Sequence, residues 1–219
     1  MYDEDYFRKR EKSLELKVER GEIINLLKPQ KSERILEIGC GAGYMLRQLE
    51  KYGCTPIGID RSPEVVKMAK KNVLGSQVIR GIADKLSFRE FSFNKIVCQH
   101  LIEHLDDVAS ALQAWRRVLK DDGCLVIATP NCDYPDPDIF YDPDHKHIFS
   151  LGELKKLLND NGFIVTRALT LMPHIYFCLR GKKLRLGVRF WRICKFLGIH
   201  SQNGQSILVK ARRGRNNSQ

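Results

Sequence analysis

The chain has 219 residues, of which 43% are hydrophobic and 29% charged, a composition that fits a single α/β domain and excludes a disordered chain. No apolar run reaches the roughly 18 residues of a membrane span, and the acidic start of the chain lacks the apolar stretch of a signal peptide, so we expect a cytoplasmic protein. The seven cysteines form no CxxC pair, and we therefore expect neither a disulfide framework nor a zinc site.

The net charge of +11 is concentrated in the last quarter of the chain. Twelve of the 37 basic residues and none of the 26 acidic residues lie after residue 160. Such a segment should meet an anionic surface or ligand, and the alternative is a solvated surface with a basic tail. We favour the alternative for Arg212–Arg215.

Hydrophobic periodicity predicts an alternation of helices and strands. Residues 4–28 predict one or two helices that end before Pro29. Strands are predicted at Arg34–Ile38, Thr55–Ile59, Gln77–Ile82, Lys95–Gln99, Cys124–Ala128, Phe163–Leu171 and Ser206–Lys210. Later helices are predicted at Tyr44–Lys51, from Ser62 to about Val73, at Val108–Leu119 and at Ser150–Asn161. We expect Ser62 to cap its helix, Asp121–Gly123 to form a turn, and Gly162 to end the last helix.

Alternating strands and helices over roughly 130 residues predict a parallel sheet with helices on both faces. Sheets of this kind bind ligands at the carboxyl ends of their strands, near the topological switch point. The residues that follow each predicted strand are therefore the candidates for a functional site.

A glycine loop, Gly39–Gly43, follows the first predicted strand and precedes a helix. Glycines let the backbone approach a ligand closely, and a helix N-terminus favours an anionic group. Asp60 follows the second strand, where a carboxylate can accept both hydroxyls of a ribose. The pattern predicts a nucleoside-containing cofactor, with a tight turn that holds no ligand as the alternative. The GxGxG spacing and the acid Glu37, which would repel a pyrophosphate and attract an ammonium or sulfonium, favour S-adenosylmethionine over a nicotinamide cofactor.

The segment Ile35–Gly43 resembles motif I of class I S-adenosylmethionine-dependent methyltransferases. Gly58–Ser62, Gly81–Asp84, Ile96–Leu105 and Val118–Leu125 resemble further motifs of that superfamily, and the resemblance covers about residues 30–171. It implies a Rossmann-like, seven-stranded, mostly parallel sheet whose last strand lies antiparallel beside Phe163–Leu171. The chain is similar to the type 11 and type 12 subgroup, which acts on small or lipid-linked molecules.

The resemblance also implies roles at the cofactor. Gly39, Gly41 and Gly43 would pass the methionine part, Asp60 would hold the ribose and Asp84 the adenine. The candidate cofactor-binding residues are Glu37, Gly39, Cys40, Gly41, Gly43, Tyr44, Asp60, Arg61, Ser62, Ala83, Asp84, Gln99 and His100, of which the last two would lie near the methyl group.

His100, Glu103 and His104 follow the fourth predicted strand at a spacing that puts them on one face of a helical turn. Quinone O-methyltransferases and small-RNA 3′-end methyltransferases resemble this pattern and hold a divalent cation there, but they carry Glu where this chain has His100. We favour a structural helix cap and predict no metal. A neutral His100 or His147 as general base is an intermediate hypothesis, because imidazole titrates near neutrality. The candidate catalytic residues are His100, His104 and His147.

The loop Thr129–Ser150 follows the fifth predicted strand. It is longer than the usual connection, which favours a lid over the acceptor pocket rather than an ordinary surface loop. Its segment His145–Ser150 resembles a broad subgroup of small-molecule and glycolipid-pathway methyltransferases.

Residues 173–200 form a basic insert before the last strand. On a helical wheel, one arc holds the basic residues Lys182, Arg185, Arg189, Arg192 and Lys195, and apolar residues fill the rest. The pattern predicts an amphipathic helix over 180–197 that lies on an anionic membrane surface, covers a lipophilic substrate, docks a partner or follows a phosphate backbone. A lid helix packed on its own domain, with a solvated basic arc, is equally favoured.

These features predict a single methyltransferase domain over residues 1–219, with an N-terminal helical segment at 1–30, that O-methylates a small or lipid-linked acceptor near a membrane surface. An RNA methyltransferase is the first alternative, suggested by the basic C-terminal segment, but the chain has no separate RNA-binding module. A non-catalytic cofactor-binding subunit is the second alternative, and the intact glycine loop and Asp60 argue against it.

Overall fold

The computed structural model describes residues 3–135, 142–171, 175–179, 182–186 and 204–214. The helices in this part of the chain are α1 (Glu4–Lys12), α2 (Leu14–Leu27), α3 (Tyr44–Glu50), α4 (Pro63–Asn72), α5 (Val108–Val118) and α6 (Leu151–Asp160), and none of them is long and apolar enough to cross a bilayer. The strands are β1 (Arg34–Ile38), β2 (Thr55–Asp60), β3 (Gln77–Arg80), β4 (Phe93–Gln99), β5 (Leu119–Pro130), β6 (Phe163–Leu171), β7 (Ile175–Leu179), β8 (Lys182–Leu186) and β9 (Ser206–Arg213). A 3₁₀ turn, Ile102–His104, follows β4.

Seven of the described strands form one sheet in the order β3-β2-β1-β4-β5-β9-β6. The strands β1 to β5 pair in parallel, whereas β9 runs antiparallel to β5 on one side and to β6 on the other. The predicted seven-stranded, mostly parallel sheet is confirmed, and so is its antiparallel last strand beside Phe163–Leu171.

The topological switch point lies at β1, which has β2 on one side and β4 on the other. Ile38, at the end of β1, pairs with Ile59 of β2 and with Cys98 of β4. The three strands therefore end level, and the loop after β1 and Asp60 lie at the same edge of the sheet. This is the edge at which parallel sheets of this kind bind ligands.

Side chains along the central strands alternate between two faces, and each face carries its own core. On one face, Leu36 packs in a cluster with Trp115 of α5 and Leu154 of α6. On the other face, Ile35 belongs to a cluster with Ile23 of α2. The predicted helices on both faces are thus present, and α2 packs directly against the central strands.

Helix boundaries follow local signals. The hydroxyl of Ser62 accepts a hydrogen bond from the backbone N–H of Val65 at 3.2 Å and caps α4 as predicted. At α6, Ser150 and Glu153 form a reciprocal capping box. Gly162 follows α6 with a φ of 77°, and this left-handed residue ends the helix as predicted.

The turn predicted at Asp121–Gly123 is wrong, because β5 continues through these residues. The pairing with β4 shifts there: Phe93 pairs with Leu119, and the regular register resumes at Lys95. A Cβ on Gly123 would lie 2.8 Å from the carbonyl oxygen of Asn94. The glycine that suggested a turn is therefore needed where an irregular strand passes close to its neighbour.

The amphipathic helix predicted over 180–197 is wrong for the residues of β8. In the described part of the insert, β7 pairs antiparallel with β8. The physical reason is visible in the sequence, because Ile175–Leu179 is rich in residues that favour strands and two residues, one of them Gly181, separate the strands as in a hairpin. The remaining basic positions of the wheel, Arg189, Arg192 and Lys195, lie outside the described residues.

Candidate active site

The glycine loop makes a tight turn between β1 and α3. Gly39, Gly41 and Gly43 have φ angles of 71°, 51° and 82°, a region that glycine adopts without strain. The backbone N–H groups of Gly39 and Cys40 both donate to the carbonyl oxygen of Ile59 at 2.9 Å, which ties the loop to β2. The Cys40 side chain is buried, and the loop presents bare backbone at its glycines.

Asp60 faces this loop from the end of β2. Its Oδ2 accepts a hydrogen bond from the backbone N–H of Gly41 at 3.1 Å, and its Oδ1 accepts one from the N–H of Ser62 at 3.0 Å. Each carboxylate oxygen has a further lone pair, so the carboxylate can still accept hydrogen bonds from a diol. Arg61 is exposed, and its carbonyl oxygen accepts a hydrogen bond from Nε of Arg80 at 3.2 Å.

Glu37 is a buried carboxylate two residues before the loop. It is 3% exposed, and its Oε2 has no hydrogen-bond partner among the described residues. Burial raises the pKa of Glu37 well above its ordinary value, although the Arg20 guanidinium opposes that effect. An unpaired buried carboxylate oxygen is costly, and a cationic or donating ligand group would relieve the cost.

Arg20 of α2 is a site residue that the sequence reasoning missed. Its side chain is buried, and its guanidinium carbon lies 6.0 Å from the ring centroid of Tyr44, a half-buried residue that opens α3. The sequence did contain a signal for this site. Glu19 and Arg20 lie between Leu16 and Ile23, at helical spacings of three or four residues from each, and therefore on the apolar stripe of α2. Charged residues on such a stripe are buried only with partners, so their presence there indicates a polar site beneath the helix.

The turn predicted to hold the adenine, Gly81–Asp84, follows β3. The carbonyl oxygen of Ala83 accepts a hydrogen bond from Nε1 of Trp115 at 2.9 Å, a bond that is buried in the core. Asp84 is half-buried at the end of this turn. An anchored turn holds Asp84 at the same edge of the sheet as Asp60.

The helix α1 lies across the glycine loop. A Cβ built on Gly41 would lie 2.9 Å from Cε1 of Phe7, whose ring packs edge-on against Tyr6 with centroids 5.3 Å apart. Glu11 of the same helix approaches Arg47 of α3 at 3.5 Å. Glycine at position 41 therefore accommodates an aromatic ring of the chain itself, a requirement that the sequence motif does not reveal.

A chain of polar contacts follows the end of β4. The Oε1 atom of Glu19 lies 2.8 Å from Nε2 of His100 and accepts a hydrogen bond from Nε2 of Gln99 at 2.7 Å. Nδ1 of His100 lies 3.4 Å from Oε1 of Glu103, which is close enough for an ion pair but long for a hydrogen bond. The other oxygen of Glu103 accepts a hydrogen bond from Oγ1 of Thr129 at 2.9 Å.

The two carboxylates keep His100 protonated. Burial acts to lower the pKa of His100, but the charge of Glu19 and the contact with Glu103 outweigh it and raise the pKa to about 9. Burial likewise acts to raise the pKa of Glu19, but the His100 charge and the hydrogen bonds from His100 and Gln99 lower it to about 2. Both ring nitrogens of His100 therefore carry protons at neutral pH.

A second cluster, formed by Glu103, His104 and His145, adjoins this chain. Ligand atoms of the three residues lie within 4.8 Å of one another, and the two imidazole centroids are 4.7 Å apart. Nδ1 of His145 and Oε1 of Glu103 are buried without a hydrogen-bond partner among the described residues. Burial lowers the pKa of His145, which favours its neutral form. The cluster can therefore supply a proton acceptor or three ligands for a divalent cation.

The side chain of His147, which was predicted with His100 and His104 as catalytic, is not part of this cluster, although its backbone N–H donates to the carbonyl oxygen of Glu103 at 3.2 Å. Its exposed ring packs against Phe149 with centroids 4.5 Å apart. The loop histidine that the structure brings next to His104 is His145. Both histidines occur in the string Asp144–His147, and nothing in that string distinguishes them.

Comparison with known proteins shows the family to which the chain belongs. A family model described as a methyltransferase domain matches residues 6–168. Ubiquinone biosynthesis O-methyltransferases of Xylella fastidiosa and Xanthomonas oryzae pv. oryzae are 32% and 31% identical over 108 and 103 residues, which cover 47% and 45% of this chain and 44% and 43% of theirs. The chain thus spans less than half the length of these relatives.

Solved structures agree on the fold. The YcgJ protein of Bacillus subtilis has a TM-score of 0.66 and 24% identity, covering 91% of this chain and 100% of that chain. A SAM-dependent methyltransferase of Aquifex aeolicus has a TM-score of 0.69 and 18% identity, covering 96% and 98%. The chain belongs to the methyltransferase-domain family, as its sequence motifs predicted.

Proposed function

We propose that the chain acts as one methyltransferase domain that binds S-adenosylmethionine at the glycine loop and methylates a hydroxyl group of a small or lipid-linked acceptor. The observation that carries this proposal is the hydrogen bond from Gly41 to Asp60, which joins the loop and the ribose-type carboxylate at the switch point of the sheet. The names of the relatives, ubiquinone biosynthesis O-methyltransferases, support oxygen as the methyl acceptor.

The residues of the site fit this cofactor. The unpaired oxygen of Glu37 suits an ammonium group, and the buried guanidinium of Arg20 suits a carboxylate. The carboxylate of Asp60 suits a ribose diol, and Asp84 suits an adenine amino group. The glycines let the backbone approach the methionine part, which a Cβ would obstruct.

When bound, the cofactor supplies a methyl group on a positively charged sulfur, and its transfer is an in-line displacement that depends mainly on positioning. Gln99 and His100 lie at the end of β4, where the resemblance places the methyl group. Both ring nitrogens of His100 face carboxylates, so His100 orients Glu103 and places a positive charge near the acceptor. It does not act as a proton acceptor. A hydroxyl acceptor still needs a base, and neutral His145, flanked by Glu103 and His104, fits that role.

A divalent cation is the second means of activating the acceptor. Glu103, His104 and His145 would hold it, and the unpaired atoms of Glu103 and His145 fit such an ion. A cation there would lower the pKa of a coordinated hydroxyl, so that its proton could pass to water without a side-chain base. The two mechanisms differ in a simple way, because only the second is abolished by a chelator.

Peripheral membrane contact through residues 180–197 is part of the proposal for a lipid-linked acceptor. The sequence of that segment is strongly basic, and basic segments bind anionic lipid surfaces. Co-sedimentation with phosphatidylserine vesicles should fall when Arg185, Arg189 and Arg192 are changed to Gln. Equal recovery on phosphatidylserine and phosphatidylcholine vesicles would remove this part of the proposal.

The activity is tested by transfer of a labelled methyl group. Purified chain is incubated with methyl-labelled S-adenosylmethionine and a catechol, with and without a farnesyl chain, in the presence of EDTA or magnesium. We expect label on a catechol oxygen, with the farnesylated probe preferred. RNA should stay unlabelled, and label on RNA in place of the catechols would favour the RNA methyltransferase alternative. Activity that survives EDTA would assign activation of the acceptor to His145.

A further inference from the structure

Glu19 of α2 is a buried carboxylate at the acceptor side of the site, by which we mean the contacts that follow β4 and the adjoining cluster of Glu103, His104 and His145. Its side chain is 5% exposed, and its contacts reach Gln99 and His100, which are 80 and 81 residues away in the sequence. Burying a carboxylate costs free energy unless charged or donating groups surround it, and an apolar residue at this stripe position of α2 would avoid that cost. The contacts made by Glu19 therefore need an explanation beyond packing.

These contacts depend on an unusual backbone conformation at the end of β4. His100 has a φ of 51°, and its N–H donates to the carbonyl oxygen of Ala128 at 2.9 Å. Consecutive side chains of a strand point to opposite faces, so Gln99 and His100 would ordinarily diverge. The left-handed conformation at His100 lets both side chains meet the same carboxylate oxygen of Glu19.

The contacts continue from His100 toward the acceptor cluster. The second ring nitrogen of His100 lies 3.4 Å from Oε1 of Glu103, and Thr129 of β5 donates to the other oxygen of Glu103 at 2.9 Å. Glu103 is in turn one of the three residues clustered with His145. Glu19 is thus one end of a path of contacts that runs through His100 and Glu103 to the cluster, and it also holds Gln99.

We propose that Glu19 is a positioning residue: it holds Gln99 and His100 at the end of β4 and, through His100, orients Glu103 toward His145. The inference rests on the proposed function, since its effect on rate requires that this cluster activates a methyl acceptor. Among the described residues, Glu19 contacts Gln99, His100 and Ser206, and none of these three belongs to the glycine loop. Since Gln99 and His100 are expected beside the methyl group and not beside the rest of the cofactor, loss of Glu19 should impair methyl transfer more than cofactor binding.

The test uses Glu19→Met, which removes the charge and the hydrogen-bond acceptor at similar length. A double variant, Glu19→Met with His100→Gln, also removes the cation that Glu19 would leave without one of its partners. Glu90→Met, at an exposed position, is the matched control. The readouts are S-adenosylhomocysteine binding by calorimetry, thermal unfolding, nitrogen-15 relaxation of the Gln99 side-chain amide, and kcat with farnesylated catechol.

In Glu19→Met we expect the Gln99 amide to become mobile and kcat to fall about 10- to 100-fold, as expected for lost positioning. The dissociation constant for S-adenosylhomocysteine should stay within about threefold of that of the unmodified chain, because Gln99 and His100 are expected beside the methyl group, which S-adenosylhomocysteine lacks. In the double variant Gln99 should stay mobile and kcat should stay low, and thermal stability should not rise above that of Glu19→Met, because Glu103 then lacks its cationic partner. Glu90→Met should change none of these readouts.

Two results would overturn the proposal. An immobile Gln99 amide in Glu19→Met would show that Glu19 does not hold this side chain. Recovery of kcat in the double variant would show that the contacts of Glu19 are not needed for turnover and would reduce Glu19 to a structural anchor for α2. Failure of the unmodified chain to bind S-adenosylhomocysteine would instead contradict the proposed function, and the Gln99 measurement would still decide the role of Glu19.

Discussion

The cofactor side and the acceptor side of this site are built in different ways. The cofactor side is formed largely by the backbone of the glycine loop, in which three glycines have positive φ and two N–H groups donate to one carbonyl oxygen of β2. The carboxylate of Asp60 accepts a hydrogen bond from the N–H of Gly41, only 19 residues earlier in the sequence. The acceptor side contains the buried charged side chains of Glu19, His100 and Glu103, from α2 and the segment after β4, and the half-buried His145 from the loop before α6. Its contacts join residues that are 40 to 81 positions apart in the sequence. A backbone turn keeps its geometry when neighbouring side chains are substituted, whereas the stability of a buried charge depends on each of its partners.

The largest expected effect is on the acceptor side, for His100→Ala. This variant leaves Glu19 and Glu103 as buried carboxylates without their shared cation, and such losses cost about 3–5 kcal/mol of unfolding free energy. Denaturation by urea would measure the change. His147→Ala, at an exposed histidine, is the control and should cost less than about 0.5 kcal/mol. Equal stabilities of the two variants would contradict the buried network.

The next effect belongs to the cofactor side. Asp60→Ala removes a carboxylate that accepts two backbone N–H groups and faces the ribose position, so we expect the affinity for S-adenosylhomocysteine to fall about 100-fold. Calorimetry would measure this change. Asp122→Ala, at an exposed position in β5, should leave the affinity unchanged. A similar loss in both variants would indicate a general effect of charge.

The dependence of stability on pH sharpens the comparison. The pKa of His100 is raised from 6.5 to about 9, so its contribution to stability is fully present below pH 6.5 and is lost as the pH rises through 9. The pKa of Glu19 is lowered from 4.5 to about 2, so its contribution is present above pH 4.5 and is lost as the pH falls through 2.

Urea denaturation of the chain and of a Glu19→Gln/His100→Gln double variant between pH 6 and pH 10 would test this dependence. We expect the difference in unfolding free energy between them to shrink as the pH rises from 6.5 to 9. A constant difference would mean that His100 is neutral in the folded chain.

The smallest expected effect is at the glycine loop itself. Gly41→Ala places a Cβ at a φ of 51° and 2.9 Å from the ring of Phe7, which should cost about 1–2 kcal/mol of unfolding free energy. Adding Phe7→Ala should recover part of that loss, because it removes the steric contact and leaves the backbone strain. Gly75→Ala is the control, because no atom lies within 4 Å of the position that its Cβ would take. No recovery in the double variant would assign the whole cost to the backbone.

The contrast explains which features could be predicted from the sequence. Strand, loop, helix and Asp60 are local in sequence, and the chemistry of glycine and of a following carboxylate makes them recognisable. Arg20 and Glu19 were missed because their partners lie in distant segments, and the one signal was their position on an apolar stripe. His145 and His147 lie two residues apart in one loop, and the sequence alone did not show that His145, and not His147, meets His104.

The two wrong predictions about secondary structure also arose where contacts between distant segments decide the structure. The turn expected at Asp121–Gly123 was inferred from a glycine that instead relieves a close approach of β5 to Asn94. The helix expected across β8 was inferred from a wheel, whereas the strand-favouring residues of β7 provide a partner strand. In both places tertiary pairing outweighed a local pattern.

The central claim is that the glycine loop and Asp60 bind a nucleoside-containing sulfonium cofactor rather than a dinucleotide. Isothermal titration of the purified chain with S-adenosylhomocysteine and, separately, with NADH tests it directly. We predict saturable binding of S-adenosylhomocysteine with a dissociation constant on the order of micromolar, weakened about 100-fold by Asp60→Ala, and no heat from NADH. Saturable NADH binding with no response to S-adenosylhomocysteine would contradict the claim.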